Sequence, residues 1–400
     1  MPSGKQWAAA GLVFLVVAIN VSVFMPTVLK PATLVFYAED ESHSDVRDED
    51  AVTTRYPNES SCHDNMNKSR DCATGGHVPA IRHFADTRSS TLQDDDLYSV
   101  QELVQVERRA HLRATCRQYG LNGSVNDLMQ HDLSRFIVDE KYKLIYCSVP
   151  KIASTSWKRV LLVLRGVMDD PYDLSQPIVN NKVAPKKLKY LSFYKRADVK
   201  RMLQDYVKFI VVRNPFSRLL SAFRNKLEPN STFERAYKFQ ERAGASIQRR
   251  YKSKRTKPSP AAKKIRTPQG TLLYDLTFSD FVKFLIDPKP GPMHEWQENR
   301  HWARVSEQCY PCLADFDIIA KFDTLADDAA YILHRTHADS VVQFPSQKGS
   351  SPTYSSSKQI IESYFATVSR NDESALYKKY NLDFELFGYK KPEICLPTSR

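Results

Sequence analysis

The stretch IYCSVPKIASTSWKRVLLVLRG, residues 145–166, passes from an apolar run through a lysine and a cluster of hydroxyls into an amphipathic segment. Lys151 brings a point charge, while Ser154, Thr155 and Ser156 bring hydroxyl donors and the means to cap a helix. A turn leading from a strand into a helix also offers unpaired N–H groups and the positive end of the helix dipole. Pro150, Lys151, Ile152, Ala153, Ser154, Thr155, Ser156 and Trp157 therefore form a candidate loop for phosphate or sulfate. It has none of the glycines that such turns ordinarily carry. A nucleoside triphosphatase would show G-x-x-x-x-G-K-[ST] and a carboxylate for magnesium. Here Pro150 stands before the lysine, and no clear magnesium-binding carboxylate closes the next strand, FIVVR. Metal-free transfer of a less highly charged group fits better. A sulfuryl group carries one formal negative charge where a terminal phosphoryl carries two, so a lysine, hydroxyls and a helix terminus can offset it.

A second set of residues lies downstream. Arg213 ends the run VKFIVVR, and RNPFSRLLSAFRNKL places Ser221 eight residues on, about two turns into a helix that Pro215 can begin. An arginine and a serine so spaced can point at one anion; an arginine that only caps the helix is the alternative. An attacking hydroxyl would also need a general base. His131 is the only histidine between Gly120 and Ala222, so the base is expected later in the chain.

The elements that must position these groups alternate. KLIYCSV and VKFIVVR are short β-rich runs, each followed by a helical pattern, and FDIIAKF precedes the helical TLADDAAYILHRT. Buried apolar strands separated by helices predict an α/β fold, a parallel sheet flanked by helices on both sides. In the helix after the first loop, Val160, Leu161 and Leu164 would face the core. The globular part is expected to begin near residue 97, where LYSVQELVQVERRAHLRATCRQYG sets Leu97, Val100, Leu103, Val104 and Val106 at helical intervals and ends at Gly120.

The 400 residues carry a net charge of +12, unevenly spread. Residues 31–99 hold 14 acidic and 6 basic side chains, so the part beyond them is strongly basic and suits an anionic partner. WAAAGLVFLVVAINVSVFMPTVL, from Trp7 to Leu29, has no charge over 23 residues, enough for a helix to cross a hydrocarbon layer of roughly 30 Å. Lys5 before it and EDESHSDVRDED after it put the N-terminus in the cytosol. The expected organisation is a cytosolic tail (1–6), a transmembrane signal anchor (7–29), a largely disordered stem (30–96) and a single lumenal catalytic domain (97–400); a cleaved signal peptide is the rival. Sequons at Asn58, Asn67, Asn122 and Asn230 and seven cysteines beyond the anchor fit an oxidising lumen. Cys309 and Cys312, in CYPC, read as a local or crossed disulfide rather than half a zinc site, because no second CxxC exists. Cys62 with Cys72 is a plausible stem loop.

VPKIASTSWKRVL followed by FIVVRNPFSRLLSAFRNKL resembles the two cofactor motifs of Golgi carbohydrate sulfotransferases, which use 3′-phosphoadenosine 5′-phosphosulfate. The likeness continues through ENRHWARVSEQCYPCLADFDIIAKFDTLADDAAYIL and LYKKYNLDFELFGY, which look like the chondroitin 4-O-, dermatan 4-O- and HNK-epitope sulfotransferase branch. It covers roughly residues 100–390 and leaves the stem unmatched. The resemblance implies a P-loop-like α/β fold in a type II Golgi membrane protein with its catalytic domain in the lumen. It further implies that Lys151 to Trp157 hold the 5′-phosphosulfate, that Arg213 and Ser221 hold the 3′-phosphate, and that no metal takes part. Lys151 would stabilise charge on the bridging oxygen. His301, in NRHW where a family motif falls, becomes the candidate base, with His294 and Glu298 as runners-up. The family often has Cys or Gly at Ser154, Asn at Ser156 and an acidic residue at Asn214; these departures touch the subfamily more than the activity.

The acceptor would be a glycosaminoglycan or a glycoprotein glycan. The expected reaction is 4-O sulfation of N-acetylgalactosamine in chondroitin or dermatan. The alternatives are 3-O sulfation of an HNK-type glucuronic acid, 4-O sulfation of N-acetylgalactosamine on an N-glycan, or a catalytically dead glycosaminoglycan-binding protein on the same fold. Arg235–Arg266 holds 12 basic residues and one acidic residue, which suits a polyanion, although a mobile solvated insertion would look the same. Nucleic acid would answer to the same charge, but lumenal placement argues against it. PSQKGSSPTYSSSK, rich in hydroxyls, is a candidate lid over the cofactor.

Overall fold

A computed structural model describes residues 92–233, 236–252, 257–345 and 353–390. The anchor, the stem up to residue 91, Asn58, Asn67, Cys62, Cys72 and Cys395 lie outside the described residues. No helix among the described residues is long and apolar enough to cross a membrane.

Among the described residues seven strands form: β1 (Phe136–Asp139), β2 (Leu144–Cys147), β3 (Lys189–Tyr190), β4 (Val207–Val212), β5 (Lys263–Thr267), β6 (Gly270–Tyr274) and β7 (Ile318–Lys321). The main sheet has the order β3-β1-β2-β4-β7. Strands β2, β4 and β7 run parallel, and each is buried and followed by a helix, as the alternation predicts. The sheet is nevertheless mixed, not wholly parallel: β1 pairs antiparallel with β2, and β3 antiparallel with β1. An antiparallel pair needs only a tight connection, and residues 140–143 provide it, with Lys143 at φ 47°. No helical pattern separates β1 from β2, so strand–helix alternation does not reveal this edge.

The helices that matter for the site are α1 (Leu92–Gln118), α2 (Ser154–Leu164), α3 (Arg196–Asp205), α4 (Pro215–Lys226), α5 (Ala245–Tyr251), α6 (Phe278–Ile286), α7 (Val305–Cys309), α8 (Leu325–Arg335), α9 (Lys358–Phe365) and α10 (Arg370–Leu386). In α2, Val160, Leu161 and Leu164 are buried as expected, together with Trp157. Each such side chain contributes about 1.5–3 kcal/mol when removed from water. One core surrounds the main sheet; a second gathers Phe216, Leu220 and Phe223 of α4 with Phe281 of α6 and Phe384 of α10.

Helix α1 corrects its expected orientation. Val100, Leu103 and Val106 are exposed, whereas Gln101 and Gln105 are buried. The reason is the open edge of β7. Gln105 Oε1 accepts from Ile319 N at 2.8 Å, while Arg108 and Arg109 donate to the carbonyls of Ile319 (2.8 Å) and Asp317 (2.7 Å). The polar face of α1 thus satisfies backbone groups that an edge strand would leave unpaired.

The basic segment is not a solvated insertion over its described residues. Ala243, Ala245 and Ile247 join the second core, and its end forms the β5–β6 hairpin. The CYPC cysteines form crossed disulfides, Cys116–Cys312 and Cys147–Cys309. Tyr310 between them takes a left-handed conformation, φ 47°, and the two bridges tie α1 and β2 to the same turn.

Cys147–Cys309 spans 162 residues of sequence. Replacing both cysteines by serine should lower unfolding free energy by about 2–5 kcal/mol. A thermal midpoint equal to that of the parent protein would show that the bridge adds no stability.

Candidate active site

Strand β2 ends where Ser148 and Val149 lead into the loop, and α2 begins four residues after Pro150. Lys151 and Ala153 adopt φ of 73° and 53°, the left-handed region in which glycine is the usual residue. This is how the loop turns without glycine: two L-residues accept strain of roughly 1–2 kcal/mol each. Ala153, as N-cap, makes no side-chain hydrogen bond, so the first amides of α2 have no capping side chain. A helix start of this kind has the N–H groups and the dipole sign that suit an anion. The side chains of Ile152 and Trp157 are buried in the core, so these two residues offer the loop only main-chain groups. Thr155 Oγ1 accepts from Asn180 Nδ2 at 2.8 Å, and Asn180 Oδ1 accepts from Lys158 Nζ at 3.1 Å.

Two arginines from the β4–α4 junction hold the strained loop. Arg213 Nη1 donates to the Lys151 carbonyl and Arg218 Nε to the Pro150 carbonyl, each at 3.2 Å. Arg218 also donates to the carbonyls of Ala303 (2.7 Å) and Arg300 (3.1 Å), and so fastens the loop to the turn that carries His301. Its side chain is buried, and burial lowers its pKa to about 10. The spacing R-x-P-x-x-R-x-x-S contains Arg218, but only the fold reveals it as the clamp between two segments far apart in sequence. Asn214 caps α4 by accepting from Phe216 N (3.0 Å) and Ser217 N (3.2 Å). The amide serves this role as a carboxylate would.

Arg213 is 5% exposed, with Nη2 donating to Ser356 Oγ at 2.8 Å and the guanidinium 4.3 Å above the Phe322 ring. Its Nε has no partner, and burial draws its pKa to about 10. Ser221 Oγ lies 3.0 Å from Thr353 Oγ1, and Arg224 donates to the Thr353 carbonyl. Thr353 and Ser356, at the end of the hydroxyl-rich segment, thus contact Ser221 and Arg213; residues 346–352 lie outside the described residues. Neutral hydroxyl partners are weaker than charged phosphate oxygens.

Lys151 makes no ion pair among the described residues. Loss of solvent, then Lys226, Arg213 and Arg218, push its pKa well below the usual lysine range. His301 is depressed likewise, by burial first and then by Lys226, Arg300, Lys151 and Arg218. Its imidazole is therefore neutral near pH 7, packed edge-on to Phe239 at 5.2 Å, with Nδ1 buried and unpartnered. The fold thus brings Lys151 and His301, 150 positions apart, into one electrostatic neighbourhood. His294 is exposed, and Glu298 is exposed and paired with Lys379 Nζ at 3.4 Å. Helix α10 supports the His301 turn: Tyr380 OH donates to the Trp302 carbonyl (2.8 Å), and buried Asp383 accepts from Val305 N (2.6 Å) and Ser306 N (2.9 Å). Lys226, the last residue of α4, completes the group of cations and had no motif to announce it.

The pattern of the sulfotransferase family matches residues 134–390. Carbohydrate sulfotransferase 10 of Homo sapiens is 32% identical over 327 residues, covering 80% of this chain and 85% of that protein. Carbohydrate sulfotransferase 11 of Rattus norvegicus is 33% identical over 290 residues, 71% of this chain and 76% of the other. Carbohydrate sulfotransferase 9 of Homo sapiens is 31% identical over 307 residues, 76% of this chain and 64% of the other. No solved structure matches.

Arg218→Met would take a donor from three carbonyl oxygens, of which only Ala303 keeps another among the described residues, Gln308 Nε2. A loss of roughly 3 kcal/mol or more in urea unfolding is expected; a change below about 1 kcal/mol would refute the clamp.

Proposed function

The chain belongs to the sulfotransferase family, and from there we propose that it moves a sulfuryl group from 3′-phosphoadenosine 5′-phosphosulfate to the 4-hydroxyl of N-acetylgalactosamine in chondroitin or dermatan. That it is a carbohydrate sulfotransferase using this donor follows from the family match and its relatives. The acceptor and the residue roles are our reading. The observation that carries the roles is the cluster of Lys151, Lys226, Arg213 and Arg218 around a neutral His301, with no counter-anion to Lys151 among the described residues.

In this reading the amides and hydroxyls of Lys151 to Trp157 hold the 5′-phosphosulfate, and Arg213 with Ser221 holds the 3′-phosphate. The acceptor hydroxyl attacks sulfur in line, and its proton passes to His301. The bond from sulfur to the 5′-phosphate oxygen breaks, and 3′,5′-ADP leaves. Lys151 offsets the charge that grows on that oxygen, in a site where low polarity strengthens the attraction. These cations take the place of a metal ion.

The folded basic segment supports a polyanionic acceptor. The crossed disulfides support an oxidising lumen. With Trp7–Leu29 as anchor and residues 30–96 as stem, the protein would be a type II Golgi membrane enzyme.

Incubating the soluble lumenal part with radiolabelled donor and chondroitin, desulfated dermatan, heparan and glucuronyl-lactosamine acceptors, with and without EDTA, tests this reading. Label on chondroitin and dermatan regardless of EDTA is expected; label elsewhere only, or only with divalent metal, contradicts it. Lys151→Ala should lose at least about a hundredfold in kcat while remaining folded. The pH profile tests the base. Turnover falls as pH drops through the pKa of His301, and that pKa is held down partly by Lys226. Lys226→Met should therefore move the acid limb of kcat to higher pH; an unmoved limb would exclude His301 as the base.

A further inference from the structure

Thr155, the second residue of α2, and Lys158, three residues on, lie on one side of the helix and meet the same short segment, the π-helical turn Val179–Val183. Val179 is buried in the first core and anchors that turn. Asn180 makes both contacts. Its Oδ1 accepts from Lys158 Nζ at 3.1 Å, and its Nδ2 donates to Thr155 Oγ1 at 2.8 Å and to the Gln176 carbonyl at 3.1 Å.

The neighbours allow this amide one orientation. An ammonium has hydrogens and no lone pair, so it must face the amide oxygen; a carbonyl has lone pairs and no hydrogen, so it must face the nitrogen. Turned over, the amide would set donor against donor at Lys158 and acceptor against acceptor at Gln176. Nδ2 therefore donates to Thr155, whose oxygen is the acceptor in that contact. A hydroxyl that accepts still has its own hydrogen to give. Thr155 gives it to no acceptor among the described residues. A helical threonine would ordinarily return that hydrogen to the carbonyl four residues back; here that carbonyl belongs to Lys151 and is engaged by Arg213 Nη1 at 3.2 Å. Each donation in the series from Lys158 through Asn180 to Thr155 polarises the next, which makes the last O–H a stronger donor.

We infer that Asn180 is a positioning residue for the sulfate donor: Lys158 and Gln176 fix its amide, and the amide commits the Thr155 hydroxyl to donating its hydrogen to the 5′-phosphosulfate. This rests on the proposed placement of that group at Lys151 to Trp157, and adds to it the residue that sets the polarity of one contact. Asn180 lies outside the loop and acts through Thr155.

Calorimetric titration with 3′,5′-ADP, which has the 5′-phosphate, and with 3′-AMP, which lacks it, tests the assignment. Thr155→Val should bind 3′,5′-ADP about tenfold more weakly and 3′-AMP as the parent protein does. In Asn180→Asp both carboxylate oxygens accept, so Thr155 must turn its hydrogen toward position 180; a loss of about tenfold is expected, again confined to 3′,5′-ADP. Asn180→Ala, which leaves the hydroxyl unguided, should lose affinity in the same direction and by less. Combined with Thr155→Val, either change at Asn180 should cost less than about twofold further, because its route to the ligand is gone. Asn180 variants that bind 3′,5′-ADP as the parent does, losses that multiply with that of Thr155→Val, or losses equal for 3′-AMP would overturn the inference while leaving the loop as the phosphosulfate site. A Thr155→Val variant with unchanged 3′,5′-ADP affinity would overturn the threonine contact in the loop, and the role of Asn180 with it.

Discussion

The site depends on Arg218. One buried guanidinium donates to Pro150 in the anion loop and to Arg300 and Ala303 in the turn that carries His301. Main-chain carbonyls, not carboxylates, receive its hydrogen bonds. Its positive charge is therefore shared with the site and not cancelled there, which is what the proposed anion role of the loop requires. Asp383, the buried acid that acts on its charge, uses its two oxygens on the amides of Val305 and Ser306.

That arrangement costs the fold stability. Lys151, Arg213, Arg218 and Lys226 repel one another where water is scarce, and Lys151 and Ala153 hold unfavourable backbone angles. With a depressed folded-state pKa, His301 binds fewer protons than it does unfolded. Stability thus declines as pH falls below the ordinary histidine value of about 6.5. Two aromatic and aliphatic cores and two long-range disulfides offset the cost. A nucleotide bearing anionic groups at both its 3′ and 5′ ends would offset that repulsion on binding, so binding and folding draw on the same electrostatic term.

The same logic of satisfying exposed groups explains α1. An amphipathic helix would ordinarily turn its valines and leucines inward, yet the neighbouring element is a sheet edge whose amides and carbonyls need partners. Gln105, Arg108 and Arg109 meet that need, and Val100, Leu103 and Val106 face outward in consequence.

Local chemistry was legible in the chain. The apolar runs around Ile145, Ile210 and Ile319 form strands wherever they are buried, Pro215 starts a helix, and lysine with hydroxyls at a helix start suits an anion; none of these needs distant contacts. The loop, Arg213, Ser221 and His301 could therefore be proposed as site residues from spacing and resemblance. The tertiary structure decided what depends on partners far away in sequence. The antiparallel β1–β2 edge, the crossed pairing of the CYPC cysteines, the inward polar face of α1, and the reach of Arg218 and Lys226 toward His301 are all set by packing. A residue's type states which bonds it can make, and only the fold brings to it the group that makes them.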